Sequence, residues 1–394
     1  MRIALISPYP PSRDGIADYA AKLVDALRSE RADCDITVHN LRTGAVRDSG
    51  DRDALSLDPR SWTALYRRLI RDRPDVVHVQ FDISNYLLLI VPLVGLLAAL
   101  RRRGGTALVA TFHEAYRDRE LYGVASVAFY RAFHRLFDRI YVHTTLSQNR
   151  LIDTYGAAPA MVTCIPHGAA EFVSKERNHD ALRTRFGIPP GTPVVLNFGY
   201  LYRTKGVEYL IESLASLKAA GRPMPAVLIA GEVPRRTGLF RIFQARNDRY
   251  LAGLKHRIHE AGLDAVVTFT GYIAKEELYS LFTLADVVVL PYLSVDQSGV
   301  LNTAIAARTP VIASDIGGLG ETLRDVGVLV PPRDSAAIAR ALTAVLDDPA
   351  HRADLVARYD ALAERLDTRQ VAVALLDDYE RVAGPAHAVF GSAG

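Results

Sequence analysis

Residues 197–213, NFGYLYRTKGVEYLIES, place Arg203 and Lys205 just before a helical run that starts near Gly206. The first N–H groups of a helix have no partner inside it, so two cations beside them make a site for an anion. A second such place follows the apolar run ADVVVLP (285–291). The chain turns there through Gln297-Ser298-Gly299 into another helical run. The backbone amides of Ser298, Gly299 and Val300 at that helix start suit a pyrophosphate. A third is SPYPPSRDGIADY (7–19), where Gly15 opens a helix with Asp18 in its first turn. Glycine there lets the backbone approach a ligand closely. The loop is not G-x-G-x-x-G, so a dinucleotide fingerprint is absent. Taken singly, each loop reads equally well as an ordinary strand–helix turn or cap.

Positioning three such loops requires strands that end together. Strand candidates are RIALIS (2–7), CDITVHNL (34–41), DVVHVQF (75–81), ALVATF (107–112), RIYVHTT (139–145) and AMVTCIP (160–166). A second series comprises PVVLNFGY (193–200), AVLIAGE (226–232), AVVTFTGY (265–272), ADVVVLP (285–291), PVIAS (310–314) and VGVLVP (326–331). Helical patterns fall between them. Apolar strands alternating with helices predict parallel, doubly wound sheets in an α/β fold, with ligands beyond the carboxyl ends of the strands. Between the two series lies a polar stretch, SKERNHDALRTRFGIPPG (174–191), which reads as an interdomain link. The expected division is residues 1–185, joined by a C-terminal helix at about 365–384 packing back across them, and residues 186–364. The terminal GPAHAVFGSAG reads as a disordered tail.

Composition narrows the partners. The chain has 394 residues, 49% of them hydrophobic, and a formal net charge of +3. That suits two globular domains and gives no sign of a nucleic-acid partner. Residues 1–190 carry 26 basic and 21 acidic residues, against 21 and 23 in the remainder. A mildly basic first half favours acidic partners such as anionic lipid or phosphorylated acceptors; scattered surface arginine is the plainer reading. Two distant cysteines, Cys34 and Cys164, suggest neither a disulfide framework nor a metal site and fit a reducing cytoplasm. Met1-Arg2 leads straight into a strand, so no signal peptide is expected. The run YLLLIVPLVGLLAAL (86–100), followed by Arg101-Arg102-Arg103, is short for a membrane span and contains Pro92. It reads as a packed helix, with contact to a membrane surface as the second reading.

The ordered set NFGY…RTKGVEYLIE, IAGE, FTGYI…EELYSLFTLADVVVLPY and SGVLNTAIAARTPVIASDIGGLGE resembles the C-terminal domain of the family 4 glycosyltransferases. IPHGAAEF (165–172) and the first loop are similar to that family too. The resemblance covers roughly residues 1–345. It implies a GT-B fold, two Rossmann-like domains facing an interdomain cleft. It also implies transfer of a sugar from a nucleoside diphosphate donor with retention of configuration, without cofactor or catalytic metal. The acceptor would be a glycan, a lipid-linked or a small-molecule hydroxyl.

By the same resemblance, Lys205 matches the lysine that meets the donor diphosphate. The usual arginine position holds Tyr200, so Arg203 would reach in from a shifted place. Gly271-Tyr272-Ile273 matches the segment whose backbone meets the nucleobase, and the strand-end Gly199 and Gly231 belong to the same donor side. His113 is the match for a histidine that contacts the donor sugar, although His78, His143 and His167 have similar settings. The family commonly carries two glutamates eight positions apart, and those places fall on Val295 and Thr303. Asp296, one residue off register, could substitute by a loop shift; Gln297, Ser298 and Asn302 could bond donor hydroxyls or phosphate. Asp51-Arg52-Asp53 resembles a metal-holding acidic motif but sits in a polar loop and reads as solvated surface. An epimerase of the same architecture would need acid/base carboxylates that are not evident. A non-catalytic nucleotide-sugar-binding homologue is the reading that the missing glutamates would favour. The basic, aromatic stretch with Arg117, Arg119, Arg131 and Arg135 among Tyr116, Tyr122, Phe129, Tyr130 and Phe133 is a candidate acceptor or membrane surface, or an ordinary amphipathic helix.

Overall fold

A computed structural model describes residues 1–12, 15–41, 55–168, 172–233 and 241–388. The Asp51-Arg52-Asp53 triplet and the last six residues of the tail lie outside them. The chain forms two compact units, Met1–Gly168 with Asp367–Gly394, and Ala169–Leu366.

The first unit is a six-stranded parallel sheet in the order β2-β1-β3-β4-β5-β6. Its strands are β1 (Arg2–Ser7), β2 (Asp35–Asn40), β3 (Val76–Phe81), β4 (Ala107–Phe112), β5 (Arg139–Val142) and β6 (Val162–Cys164). Between them run α1 (Gly15–Glu30), α2 (Pro59–Asp72), α3 (Ile83–Tyr86), α4 (Ile90–Arg103), α5 (Ala115–Tyr122), α6 (Val124–Phe133) and α7 (Thr145–Asn149). Strands β3 and β4 are buried at every position, as helix-covered parallel strands must be. Leu93, Leu96, Leu97 and Leu100 bury one side of α4 in this core, so the apolar run is a packed helix. The stretch rich in arginine and aromatics divides differently from the docking expectation. Tyr130 and Phe133 are core residues against Phe81 and Phe112, so the aromatics of α6 serve packing.

The second unit repeats the plan with the order β12-β11-β10-β7-β8-β9. Its strands are β7 (Val194–Phe198), β8 (Ala226–Ala230), β9 (Val267–Gly271), β10 (Val287–Leu290), β11 (Val311–Ser314) and β12 (Val328–Val330). The helices are α8 (His179–Phe186), α9 (Val207–Ala219), α10 (Arg241–Glu260), α11 (Leu278–Leu284), α12 (Gly299–Ala306), α13 (Gly317–Leu323), α14 (Ser335–Asp347) and α15 (Pro349–Arg365).

One boundary differs from the sequence reading. The division falls at Gly168, not near 185, because the supposed linker is itself structured. Leu182 and Ile188 join the core of the second unit, and Asn178 donates its backbone N–H to Ser280 Oγ at 2.8 Å. The C-terminal return to the first unit starts at Asp367, against about 365 in the sequence reading. The helical run breaks between Arg365 and Thr368, leaving α15 in the second unit and sending α16 (Thr368–Ala388) to the first. There Val371, Ala372, Leu375, Leu376 and Tyr379 pack with Leu23, Val24 and Leu27 of α1 in one apolar cluster.

Candidate functional site

In each sheet the strand order reverses once, between β1 and β3 and between β7 and β10, and loops at such a switch point enclose a ligand crevice. In the second unit those loops are tied together by backbone. Gly199 N–H donates to Ala230 O at 2.9 Å, Leu201 N–H to Glu232 O at 3.1 Å and Gly231 N–H to Gly271 O at 2.9 Å. Across the switch point Leu293 N–H donates to Thr204 O at 2.8 Å, and beyond it Gly318 N–H reaches Asp296 O at 2.8 Å.

Glycines make these approaches feasible. Gly206 has φ +62°, and a Cβ there would lie 2.0 Å from Pro291 O; one on Gly231 would lie 2.1 Å from Gly199 O. Gly206→Ala should therefore lower stability by more than about 2 kcal/mol, read by urea unfolding, from forced backbone movement and left-handed strain. Gly15 is different: a Cβ would meet nothing within 4 Å. Gly15→Ala should leave stability within about 0.5 kcal/mol of wild type. An equally large loss would mean that the glycine serves packing instead of a ligand.

Arg203 and Lys205 occupy a single 3₁₀ turn, Arg203–Lys205, capped by Gly206 at the start of α9. Arg203 is exposed. The Lys205 ammonium sits 3.7 Å from the ring centroid of Tyr292, a cation–π contact that holds the half-buried side chain in place. Tyr292 is fully buried, and its hydroxyl has no hydrogen-bond partner among the described residues. Helix α12 starts at Gly299. Ser298 Oγ accepts from Leu301 N–H at 3.3 Å, so the cap satisfies that amide and leaves those of Gly299 and Val300 as the open end. Val300 comes within 3.4 Å of where a Cβ on Gly199 would stand.

The remaining expected residues fall in three groups. Tyr272 is exposed on the turn after β9, while Ile273 beside it is buried. Gln297 is half-buried, and Asp296 and Asn302 are buried. The Thr303 hydroxyl donates to Gly299 O at 2.8 Å inside α12, which occupies its proton.

The first unit concentrates histidine. His113 and His143 follow β4 and β5 directly, and His167 comes three residues after β6. Parallel strands in register bring all three together, with one nitrogen of each within 4.8 Å of the others. Tyr19 of α1 packs on all three, with ring centroids 4.6–5.2 Å away. His78 belongs to a separate line behind them. Tyr379 of α16 meets His78 Nδ1, and Thr111 Oγ1 meets His78 Nε2 at 2.8 Å. The Gln80 amide donates to His78 Nε2 at 3.2 Å, and Gln80 Oε1 accepts from His113 Nε2 at 2.8 Å. This line fixes the tautomer of His113, leaving the lone pair on Nδ1. Burial holds His78 down to about 3 and His143 to about 4, and keeps His113 and His167 well below the ordinary imidazole range. Burial and, secondarily, neighbouring imidazoles disfavour a positive ring.

Sequence reading placed four histidines at strand ends but did not see three converge, nor Tyr19 and Gln80 as their supports, nor Tyr292 beneath Lys205. The available signal was the repeated histidine just past a strand.

Two doubly wound parallel units with strand-end loops of this kind define the GT-B class. Two family models match in succession: residues 13–170 fit Glycosyltransferase Family 4, and residues 178–359 fit Glycosyl transferases group 1. The chain belongs to glycosyltransferase family 4, a family of transferases. It is 31% identical over 252 residues to 2-deoxystreptamine glucosyltransferase of Streptomyces kanamyceticus, covering 61% of this chain and 60% of that protein. It is 30% identical over 250 residues to D-inositol 3-phosphate glycosyltransferase of Rhodococcus erythropolis, covering 62% and 54%. The match thus spans under two thirds of either relative. Among solved structures, sucrose-phosphate synthase of Thermosynechococcus elongatus superposes with a TM-score of 0.76 at 23% identity, over 97% of this chain and 99% of that one. Anabaena HepE in complex with UDP-glucose gives 0.74 at 17% identity, over 97% and 100%.

Proposed function

We propose that this protein transfers a sugar, with retention, from a nucleoside diphosphate sugar to a hydroxyl of a glycan, lipid-linked or small-molecule acceptor, in polysaccharide or glycoconjugate synthesis on the cytoplasmic side. One observation carries the reading. The loops across the β7/β10 switch point set Lys205, held over Tyr292, on the same carboxyl edge of the sheet as the open amide end of α12. A departing diphosphate needs that combination of cation and amides. The solved relative holding UDP-glucose supports a donor of this class.

In the proposed reaction the bond from the anomeric carbon to the diphosphate oxygen breaks through an oxocarbenium-like state. Lys205, Arg203 and the Gly299 and Val300 amides stabilise the charge growing on the leaving group. The acceptor hydroxyl attacks from the same face and gives its proton to the departing phosphate. His113, neutral at pH 7, hydrogen-bonds the donor sugar. No metal or cofactor takes part in this scheme.

A thermal-shift screen against UDP-, GDP- and ADP-sugars tests the reading. The matching donor at 100 times its Kd should raise the midpoint by about 5 °C or more, since it binds only the folded state. No shift with any of them sinks the proposal. Binding without transfer or donor hydrolysis would instead favour the non-catalytic reading that Val295 and Thr303 motivate.

The acceptor side includes a membrane surface in this proposal. The outer side of α4 and the turn before it leave Leu87, Leu88 and Val91 exposed by 44, 61 and 79%. Exposed Arg60, Arg67, Arg68 and Arg71 lie on α2, which packs beside α4, and Arg101–Arg103 end α4 itself. An apolar strip bordered by cations suits an anionic bilayer. The protein should pellet with phosphatidylglycerol vesicles at low salt and not with phosphatidylcholine alone, and Leu88→Asp with Val91→Asp should abolish pelleting. Equal behaviour of the double variant would refute the contact.

A further inference from the structure

We infer that His113, His143 and His167 form a binding site for one borderline divalent transition-metal cation, of which Zn²⁺ and Co²⁺ are the fitting examples. The site uses different residues from the Lys205 and α12 diphosphate site, and at His113 a bound metal would compete with the donor-sugar contact of the proposed transfer.

Two features carry it. First, one ring nitrogen from each histidine already lies within 4.8 Å of the other two. Tetrahedral ligands at zinc–nitrogen distances of about 2.0–2.1 Å stand about 3.3 Å apart, so movements of up to about 0.9 Å per ring close the site. Second, the outward nitrogens of two rings are already occupied as donors, as is usual for metal-ligating histidine. His143 Nδ1 donates to Ile165 O at 2.9 Å and His113 Nε2 to Gln80 Oε1 at 2.8 Å. Each therefore keeps a lone pair on its other nitrogen. His143 Nε2 is buried and has no hydrogen-bond partner among the described residues, so its lone pair is open to a ligand.

The donor set selects the ion. Three imidazoles with no carboxylate among them disfavour Mg²⁺ and Ca²⁺, which take oxygen, and suit Zn²⁺, Co²⁺, Ni²⁺ or Cu²⁺. The supports are as firm as the ligands. Tyr19 packs on all three rings, and the Tyr379–His78–Gln80 line anchors His113 from behind. Three protein ligands leave the fourth position open to water or a small anion. An occupied site would also hold the His113 lone pair, withdrawing it from any other partner.

The experiment is titration of the full-length protein with Co²⁺ at pH 7.5, without sugar or nucleotide, following the visible d–d bands of four- or five-coordinate cobalt. One equivalent should produce the bands, and Zn²⁺ should bleach them. His143→Gln can still donate to Ile165 O, and it should weaken cobalt binding at least tenfold while keeping the wild-type circular dichroism and melting midpoint. His167→Ala should do the same. His256→Ala, on the exposed face of α10, should leave the titration unchanged and so reports on adventitious surface sites. Absence of the bands in the wild type, or bands that persist unchanged in both His143→Gln and His167→Ala, overturns the proposal. Because the readout needs no donor, such a failure leaves the transferase reading standing, and failure of donor binding leaves this one standing.

Discussion

Lys205→Ala is expected to lower the turnover number for sugar transfer by roughly two to three orders of magnitude, the loss that follows removal of one preorganised donor to a developing anion. The side chain is half-buried and rests on the Tyr292 ring. Its ammonium is therefore fixed before the reaction begins, and no reorganisation is needed as negative charge grows on the leaving diphosphate. The effect should fall on the catalytic step more than on the Michaelis constant, because the leaving group carries more charge in the transition state than in the bound donor. Lys205→Met retains most of the packing and should lose as much activity as alanine, which separates the charge from the volume. Arg203 is exposed on the same turn and should matter less, since a solvated cation is screened. Initial-rate measurements with donor and acceptor varied separately decide the matter. Undiminished turnover in Lys205→Met would remove the residue from the mechanism.

Acid should unfold the first unit steeply. His78 and His113 are buried, and His143 and His167 partly so, yet all four titrate below the free imidazole value. The unfolded chain protonates its histidines near pH 6.5. Above that pH both states are neutral, and stability does not depend on these groups. Below it the unfolded state binds protons that the folded state refuses, so stability falls as pH drops from about 6.5 towards the folded values, about 4 for His143 and about 3 for His78. Each fully buried ring contributes up to about 1.4 kcal/mol per pH unit in that window. The more accessible His143 and His167 contribute less. Urea unfolding at several pH values should show uptake of about two to four protons between pH 6 and 4.5. His78→Asn should reduce that uptake by about one proton. A flat profile across the window would mean that the rings are solvated in the folded protein.

How far the sequence alone carries depends on the range of the interactions involved. The strands were legible almost to the residue. RIALIS is β1 at Arg2–Ser7 and ALVATF is β4 at Ala107–Phe112, because a helix-covered parallel strand has to be a short unbroken apolar run. Gly15 at the start of α1 and Ser298 at the cap of α12 were legible too, since turn and cap chemistry acts within three or four residues. Segments whose fate depends on distant partners were not. Residues 179–186 look like polar linker, yet Leu182 and Ile188 supply enough apolar surface to fold them into the second unit. The return of a C-terminal helix to the first domain was expected from topology, and the packing of Leu375, Leu376 and Tyr379 with α1 is what holds α16 there.

The same division runs through the candidate sites. Sequence spacing set Arg203 and Lys205 on one turn, because neighbours in sequence share local geometry. It could not reveal that Tyr292 lies beneath Lys205, that Asp296 is packed away, or that Thr303 bonds inside its own helix. Those facts depend on how the loops after β7 and β10 cross at the switch point. The clearest case is histidine: His113, His143 and His167 are separated by 30 and 24 residues in the chain. They meet because β4, β5 and β6 lie side by side in register and end together. Residue types and local turns were fixed by short-range chemistry, whereas convergence of side chains from separate strands was decided by sheet order, which no local pattern encodes.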